Sequence, residues 1–322
     1  MRNYSLDALK FVCAFLVVFI HVMPPHYVAM PIDPLRRCAV PLFFMISGYF
    51  TYGRSDMGAL LCKRMVAVFK IFCWAFLFYS LVFIIPHGWQ EYIFYFKMYI
   101  IDFLCYNSTI YGWHLWYLHA YLYVLAIVWC VDRCKLYKYL FLAIPFLIIA
   151  AVLLGKYHVL LSGDSLPVCV SRNFFFTGLP FFALGMLLKR YEALVCRYIR
   201  LLPALLLVAF FYAMGLGEIY ALGLFFNNGD LYISTAFMSI AIFVLFLNFK
   251  LSGDNIISKI GREDSLYIYV FHLFVSQEIC YQLFKGSSLM VYYPYFSALI
   301  VFVVTLLFIR ILRRLKIVGN LI

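Results

Sequence analysis

Charge is scarce in this chain, and acidic charge scarcest. Of 322 residues only 12% are charged, with 14 acidic against 26 basic, while 66% are hydrophobic. Soluble globular domains carry about 25% charged and roughly 45 to 50% apolar residues, so a soluble fold is excluded. Long polar stretches are missing as well. The longest segment between apolar runs, Pro86 to Gly112, has 27 residues, so no second soluble domain is expected and residues 1–322 read as a single integral-membrane domain. The ten cysteines form no Cys-x-x-Cys pair, which argues against a disulfide framework. They read as small packing residues or reduced thiols, with Cys38, Cys105 and Cys169 placed where oxidation could reach them. No His-Glu-x-x-His motif occurs, and Pro24-Pro25 separates His21 from His26, so no catalytic metal is expected. There is neither an internal repeat nor a low-complexity tract, and a repeat would have favoured a transporter.

What is present is apolar sequence in helix-length windows. Stretches of about 17 to 20 apolar residues, bounded by charge or turn residues, predict an all-α polytopic fold of about ten membrane spans with short loops. The windows are 6–23, 38–52, 65–85, 113–131, 139–155, 173–188, 201–215, 231–247, 264–284 and 295–312, the second and seventh being short. The first has no small-residue cleavage site after it and is read as a retained span rather than a secretory signal. Between the third and fourth windows, Trp89 to Leu104 is aromatic but broken by Glu91, Lys97 and Asp102. It reads as a helix lying in the interface or folded back into the bundle.

The excess of basic residues is not a nucleic-acid signature, because the cations sort by side. With the N-terminus inside, 18 lysines and arginines fall in inner segments, from Arg2 through Arg54, Lys63 and Arg64 to Arg314 and Lys316. Only 6, Arg36 and Arg37 among them, fall in outer loops, and Lys10 and Lys70 lie inside spans. That bias predicts cytoplasmic termini.

The first span, from Asp7 to His21, carries ionisable residues on one stripe. The eleven steps from Lys10 to His21 turn through about 20° more than three full turns, which aligns them about 16 Å apart along the axis. Asp7 falls within roughly 40° of His21. Ionisable groups inside hydrocarbon are costly unless they face a bundle interior or a watery cavity, so the stripe is a candidate site. Lys10 alone could be a snorkelling helix-end lysine. His21, with an unperturbed pKa of about 6.5, suits proton transfer and is placed at the outer end.

Four further stretches stand out. Arg37 to Phe50, RCAVPLFFMISGYF, sets a proline at the start of a span and the small pair Ser47-Gly48 within it, a packing signal. In Gly112 to Leu122, GWHLWYLHAYL, an aromatic belt explains Trp113, Trp116 and Tyr117 without function. His114 and His119 point about 140° apart, a poor metal pair, with His114 expected at the interface and His119 toward the bundle. Phe174 to Arg190 contains Gly178, Pro180 and Gly185, so that span must bend or pack closely. In Asp264 to Phe274, DSLYIYVFHLF, Asp264 is a plausible helix N-cap and His272 lies mid-membrane, where it should face the interior. Across the membrane, Lys63 and Arg64 anchor a cytoplasmic loop and could also hold a phosphorylated ligand.

Taken in order, these segments resemble the membrane acyltransferase 3 family from Leu6 to about Phe274. The most specific element is a basic residue, ten intervening residues and a histidine, here Lys10 and His21. The resemblance implies a ten-span bacterial inner-membrane enzyme that moves an acyl group, usually acetyl, from cytoplasmic acyl-coenzyme A to a hydroxyl of a cell-envelope glycan or other outside acceptor. It implies His21 as general base and Lys10 as its cationic partner, a lysine where many relatives carry arginine. Relatives also carry Arg-x-x-Arg before the third span, whereas here Arg64 is followed three residues later by Ala67. Lys63, Arg64, Lys70 and Ser47 are therefore the candidates for the donor, and Asp7, Arg37, His114, Trp116, Tyr117, His119 and His272 for the acceptor or pocket. Acyl-coenzyme A is expected as a substrate rather than as a resident cofactor. With no nucleophile elbow, direct transfer is preferred over an acyl-enzyme. Two rivals remain: a transporter of an envelope saccharide or small polar solute, using the same ionisable residues, and the membrane module of an amino-acid racemase, which would expect a soluble catalytic domain after Ile322.

Overall fold

In the computed structural model, residues 3–22 and 24–315 are described, which leaves Arg2 and Lys316 of the charge pattern outside the described residues. Those residues are overwhelmingly helical, and none of them forms a strand. The helices of eight or more residues are α1 Tyr4–His21, α2 His26–Arg36, α3 Ala39–Tyr49, α4 Met57–Tyr106, α5 Trp116–Cys134, α6 Tyr137–Leu153, α7 Leu179–Arg190, α8 Leu201–Tyr220, α9 Ile233–Asn248, α10 Ile256–Glu263, α11 Ser265–Phe274 and α12 Tyr293–Arg314. Five helical stretches are long and apolar enough to cross a membrane, namely α1, α4, the run Trp113–Cys134 that includes α5, α8 and α12. Two shorter apolar helices, α6 and α9, join them. This is a membrane protein. The other expected windows coincide with shorter helices or with helices joined end to end, such as α11 continuing through a π-helical turn at Val275–Cys280.

The backbone groups into two compact units. Among the described residues, one contains 3–22, 24–43, 193–225 and 232–315, and the other 44–192 and 226–231.

In the first unit α1 is the central element. Leu6, Leu9, Cys13 and Val17 recur at helical spacing and are buried together with Ala14 and Val18. Without a hydrophobic driving force in lipid, close van der Waals packing must hold such a helix. Gly261 of α10 approaches so closely that a Cβ there would lie 1.9 Å from the Asp7 carbonyl oxygen. On another face Phe302 of α12 meets Phe11 and Phe15 edge to face, with centroids 5.4 and 5.2 Å away. The start of α1 is capped by Asn3, whose side chain accepts from the Leu6 N–H at 3.0 Å. Helix α9 begins against a carboxylate. Glu218 accepts the Ser234 N–H at 3.3 Å and the Ser234 hydroxyl, where the helix dipole favours negative charge.

In the second unit α3 crosses α7 through two reciprocal glycines. A Cβ on Gly48 would stand 1.9 Å from the Phe182 carbonyl oxygen, and one on Gly185 would stand 2.0 Å from that of Met45. The small residues of both stretches thus serve backbone-to-backbone contact, as the packing reading requires. Helix α4 is a hairpin rather than a rod. At Gly88 the backbone takes φ 81° and ψ 170°, a conformation essentially confined to glycine. The residues beyond it fold back: Phe83 meets Tyr95 at 6.0 Å and Phe76 meets Phe103 at 5.6 Å between centroids. The aromatic stretch from Trp89 therefore takes the folded-back course.

Asp264 does stand at the N-cap position of α11, but its side chain does not cap. Its carboxylate is taken by Arg313, 2.7 Å away on α12, which is the stronger partner for an ionised oxygen.

Candidate functional site

In the first unit, α1 ends at His21, and the His21 ring lies 5.0 Å from that of His272, centroid to centroid, tilted by 35°. His272 is wholly buried. Its Nδ1 stands 2.8 Å from the Tyr269 carbonyl oxygen and 3.0 Å from that of Ile268. Carbonyl oxygens only accept, so Nδ1 carries a proton and donates it, and the neutral ring keeps Nε2 as its acceptor nitrogen. The preceding turn of α11 thus fixes both the tautomer and the ring plane. Two histidines 251 positions apart meet because α1 and α11 pack against each other, while His21 stays partly accessible.

At the other end of α1, Lys10 donates to Asp7 at 2.9 Å, with Asp7 buried and Lys10 partly exposed. This is an i,i+3 pair along one helix, so Lys10 is held back toward the helix start.

Arg37 leads to a feature that residue pattern alone did not single out. Asp33, at the C-terminal end of α2, is fully buried, and it accepts from three groups: Arg36 Nε, Arg37 Nε at 3.2 Å and the Tyr232 hydroxyl. Arg36 is 1% exposed, and its second arm donates to the Phe19 carbonyl at 3.1 Å. Burial lowers the Arg36 guanidinium from its ordinary value, and the neighbouring Asp33 carboxylate works against that shift. Aspartate with arginines three and four residues on is the one local sign of this network. Tyr232 carries no such sign, because 199 positions separate it from Asp33.

In the second unit, two of the expected donor-site residues come together. Arg64 of α4 donates to the Ser47 carbonyl at 3.2 Å and to the Thr51 hydroxyl, thereby satisfying the end of α3. Lys63 and Lys70 are exposed on α4. His114 is fully buried, and Tyr79 packs edge to face on it at 4.8 Å. His119 sits among rings, 5.0 Å from Phe72, 4.5 Å from Phe103 and 4.8 Å from Tyr123. Trp116 and Tyr117 are also buried, whereas Trp113 is exposed. The Arg172 guanidinium lies 5.4 Å over the Trp116 ring, and Tyr117 packs on Phe44 at 4.7 Å. Among the described residues no group of three histidine, cysteine or acidic side chains converges as a metal site.

Chemically, the first-unit constellation offers two imidazoles in contact, one of them with a fixed tautomer, beside a buried charge network. Such a pair can accept and pass a proton.

Comparison with known proteins adds the following. A family model for an acyltransferase domain, acyltransferase 3, matches residues 3–313. A serine/alanine racemase of Enterococcus gallinarum is 42% identical over 57 residues, which is 16% of this chain and only 8% of the length of that protein. No solved structure matches.

Proposed function

The chain belongs to the acyltransferase 3 family and is an acyltransferase, and from that premise we propose that it is an integral-membrane O-acyltransferase with acyl-coenzyme A, most simply acetyl-coenzyme A, as donor. The acceptor is a hydroxyl of a cell-envelope glycan. The protein sits in a bacterial inner membrane with both termini in the cytoplasm, a placement supported by the 18 to 6 bias of basic residues. Under that orientation His21 is at the outer end of α1 and Lys10 near the inner end.

The carrying observation is the His21–His272 contact at 5.0 Å. An imidazole nitrogen of His21 takes the proton of the acceptor hydroxyl as its oxygen attacks the acyl carbon. The new C–O ester bond forms, the C–S thioester bond breaks, and the coenzyme leaves as a thiolate that regains a proton. His272, its Nδ1–H tied to backbone, holds the neighbouring ring in place and stabilises the imidazolium that forms. The carbonyl oxygen of the acyl group gains negative charge in this step, and preorganised donors or cations are the means of stabilising it. Arg64, Lys63 and Lys70, with Ser47, supply the positive face toward the polyanionic donor. Lys10 offers a point charge rather than a planar fork, so its contact to donor phosphate or thioester is monodentate.

Incubating membranes with labelled acetyl-coenzyme A and envelope glycans tests the reading. Label should enter the glycan with the wild-type protein and fall by about 10²-fold or more with His21→Ala, the range for loss of a positioned general base. Equal incorporation by the two proteins would remove His21 from the chemistry.

A further inference from the structure

The network around Asp33 is expensive to maintain for stability alone. Desolvating a guanidinium and a carboxylate largely cancels their attraction, and apolar residues of equal volume would hold α2 about as well. Its geometry runs in one direction. The last carbonyls of a helix lack intrahelical donors, and α1 ends two residues beyond Phe19. Arg36 supplies the donor to the Phe19 carbonyl at 3.1 Å. Arg36 is in turn fixed by Asp33, and Asp33 by Tyr232 at the start of α9. Helix α2 itself is gripped: the Tyr212 hydroxyl of α8 donates to the Pro31 carbonyl at 2.9 Å, and Pro34 lies so close to Gly215 that a Cβ there would stand 2.8 Å away. A continuous path therefore connects α9, through a buried carboxylate and a two-armed guanidinium, to the turn of α1 that bears His21.

We propose that Arg36 is a positioning residue that holds the last turn of α1, and with it the His21 ring, in its place beside His272. The proposal deepens the general-base reading and rests on it for its kinetic consequence. Arginine is required because one planar fork must serve two acceptors, the Asp33 carboxylate and the Phe19 carbonyl. A lysine keeps the charge beside Asp33 but offers a single point donor.

Arg36→Lys is the test, made on the full-length protein in detergent or nanodiscs and restricted to the monodisperse fraction. Misplacing a catalytic group by about 1 Å is enough to lose activity by up to about 10²-fold, so kcat should fall by roughly tenfold or more. KM for both substrates should change by less than about twofold, the pattern of an interaction felt in the transition state rather than in binding. The second readout needs no turnover: the rate at which diethyl pyrocarbonate carbethoxylates His21, followed by mass spectrometry, should change several-fold. Tyr232→Phe removes only the hydroxyl that holds Asp33 and should move both readouts the same way by less, and it carries the test if Arg36→Lys does not fold. Wild-type kcat together with a wild-type His21 modification rate overturns the proposal. A raised KM at unchanged kcat overturns it too, since Arg36 would then touch substrate. If His21→Ala retains transfer activity, the general-base reading fails by itself, and the modification rate still judges the clamp.

Discussion

Both compact units bury histidine, yet they bury it in opposite company. In the first, the His272 imidazole is polarised by two backbone carbonyls and faces a second imidazole, with a network of Asp33, Arg36, Arg37 and Tyr232 fixing the end of the helix that presents His21. In the second, His114 and His119 lie against the rings of Tyr79, Phe72, Phe103 and Tyr123. The surroundings differ in kind: one pair of imidazoles faces each other, and the other pair is packed against aromatic rings. An imidazole among aromatic rings offers a flat packing surface, whereas one held through Nδ1 by backbone carbonyls has its ring plane and tautomer set.

The largest way to break that comparison is to exchange the two kinds of histidine. His21→Gln keeps a polar, similarly sized side chain but removes the titrating ring, and acyl transfer should fall by about 10² to 10⁴-fold with the protein still monodisperse. His119→Phe preserves the stacked plane and should leave kcat within about threefold of wild type, well short of that general-base range. A His119→Phe loss comparable to that of His21→Gln would make the second unit a site of chemistry.

Packing separates the units next. Gly185→Ala drives a methyl into the Met45 backbone, whereas at Gly217 of α8 nothing lies within 4 Å of an added Cβ. Overpacking typically costs about 1 to 3 kcal/mol, and here the obstructing atoms are backbone, which cannot rotate away. Gly185→Ala should therefore lower the midpoint of thermal unfolding in detergent clearly, and Gly217→Ala should leave it unchanged or slightly raised. Equal midpoints for the two variants would mean that α3 and α7 do not cross at these glycines.

Much of this was legible in residue order because the bilayer simplifies the grammar. Apolar windows gave the helices, and the ionisable stretch from Asp7 to His21 lies on the single helix α1. Ser47-Gly48 and Gly185 announced close packing, which the reciprocal contact to Phe182 and Met45 realises. What stayed hidden needed the third dimension. The length of the second expected span is one such case, since α3 is only 11 residues long. Tyr232 is another, because no periodicity relates it to Asp33. Asp264 illustrates competition: its position fitted an N-cap, but Arg313 from α12 claimed the carboxylate.

The smallest effect concerns Arg64, whose role divides the two readings of the α3 terminus. If Arg64 mainly satisfies that helix end, its partners are the Ser47 carbonyl and the buried Thr51 hydroxyl, and the donor substrate gains little from it. Thr51→Val keeps the volume and deletes the acceptor. A hydrogen bond to a charged group is worth about 1.5 to 3 kcal/mol when fully buried. Arg64 is only partly buried and retains the Ser47 carbonyl, so the loss should be under about 1 kcal/mol, with screening reducing it further. The guanidinium freed from Thr51 then has an arm to offer an anion. A donor KM that falls by about two- to threefold in Thr51→Val, lost again in Thr51→Val with Arg64→Ala, would show Arg64 within reach of the donor phosphates, since such a factor is under 1 kcal/mol of binding. An unchanged KM in Thr51→Val and in Arg64→Ala would assign Arg64 to the helix end alone and leave Lys63 and Lys70 to meet the coenzyme.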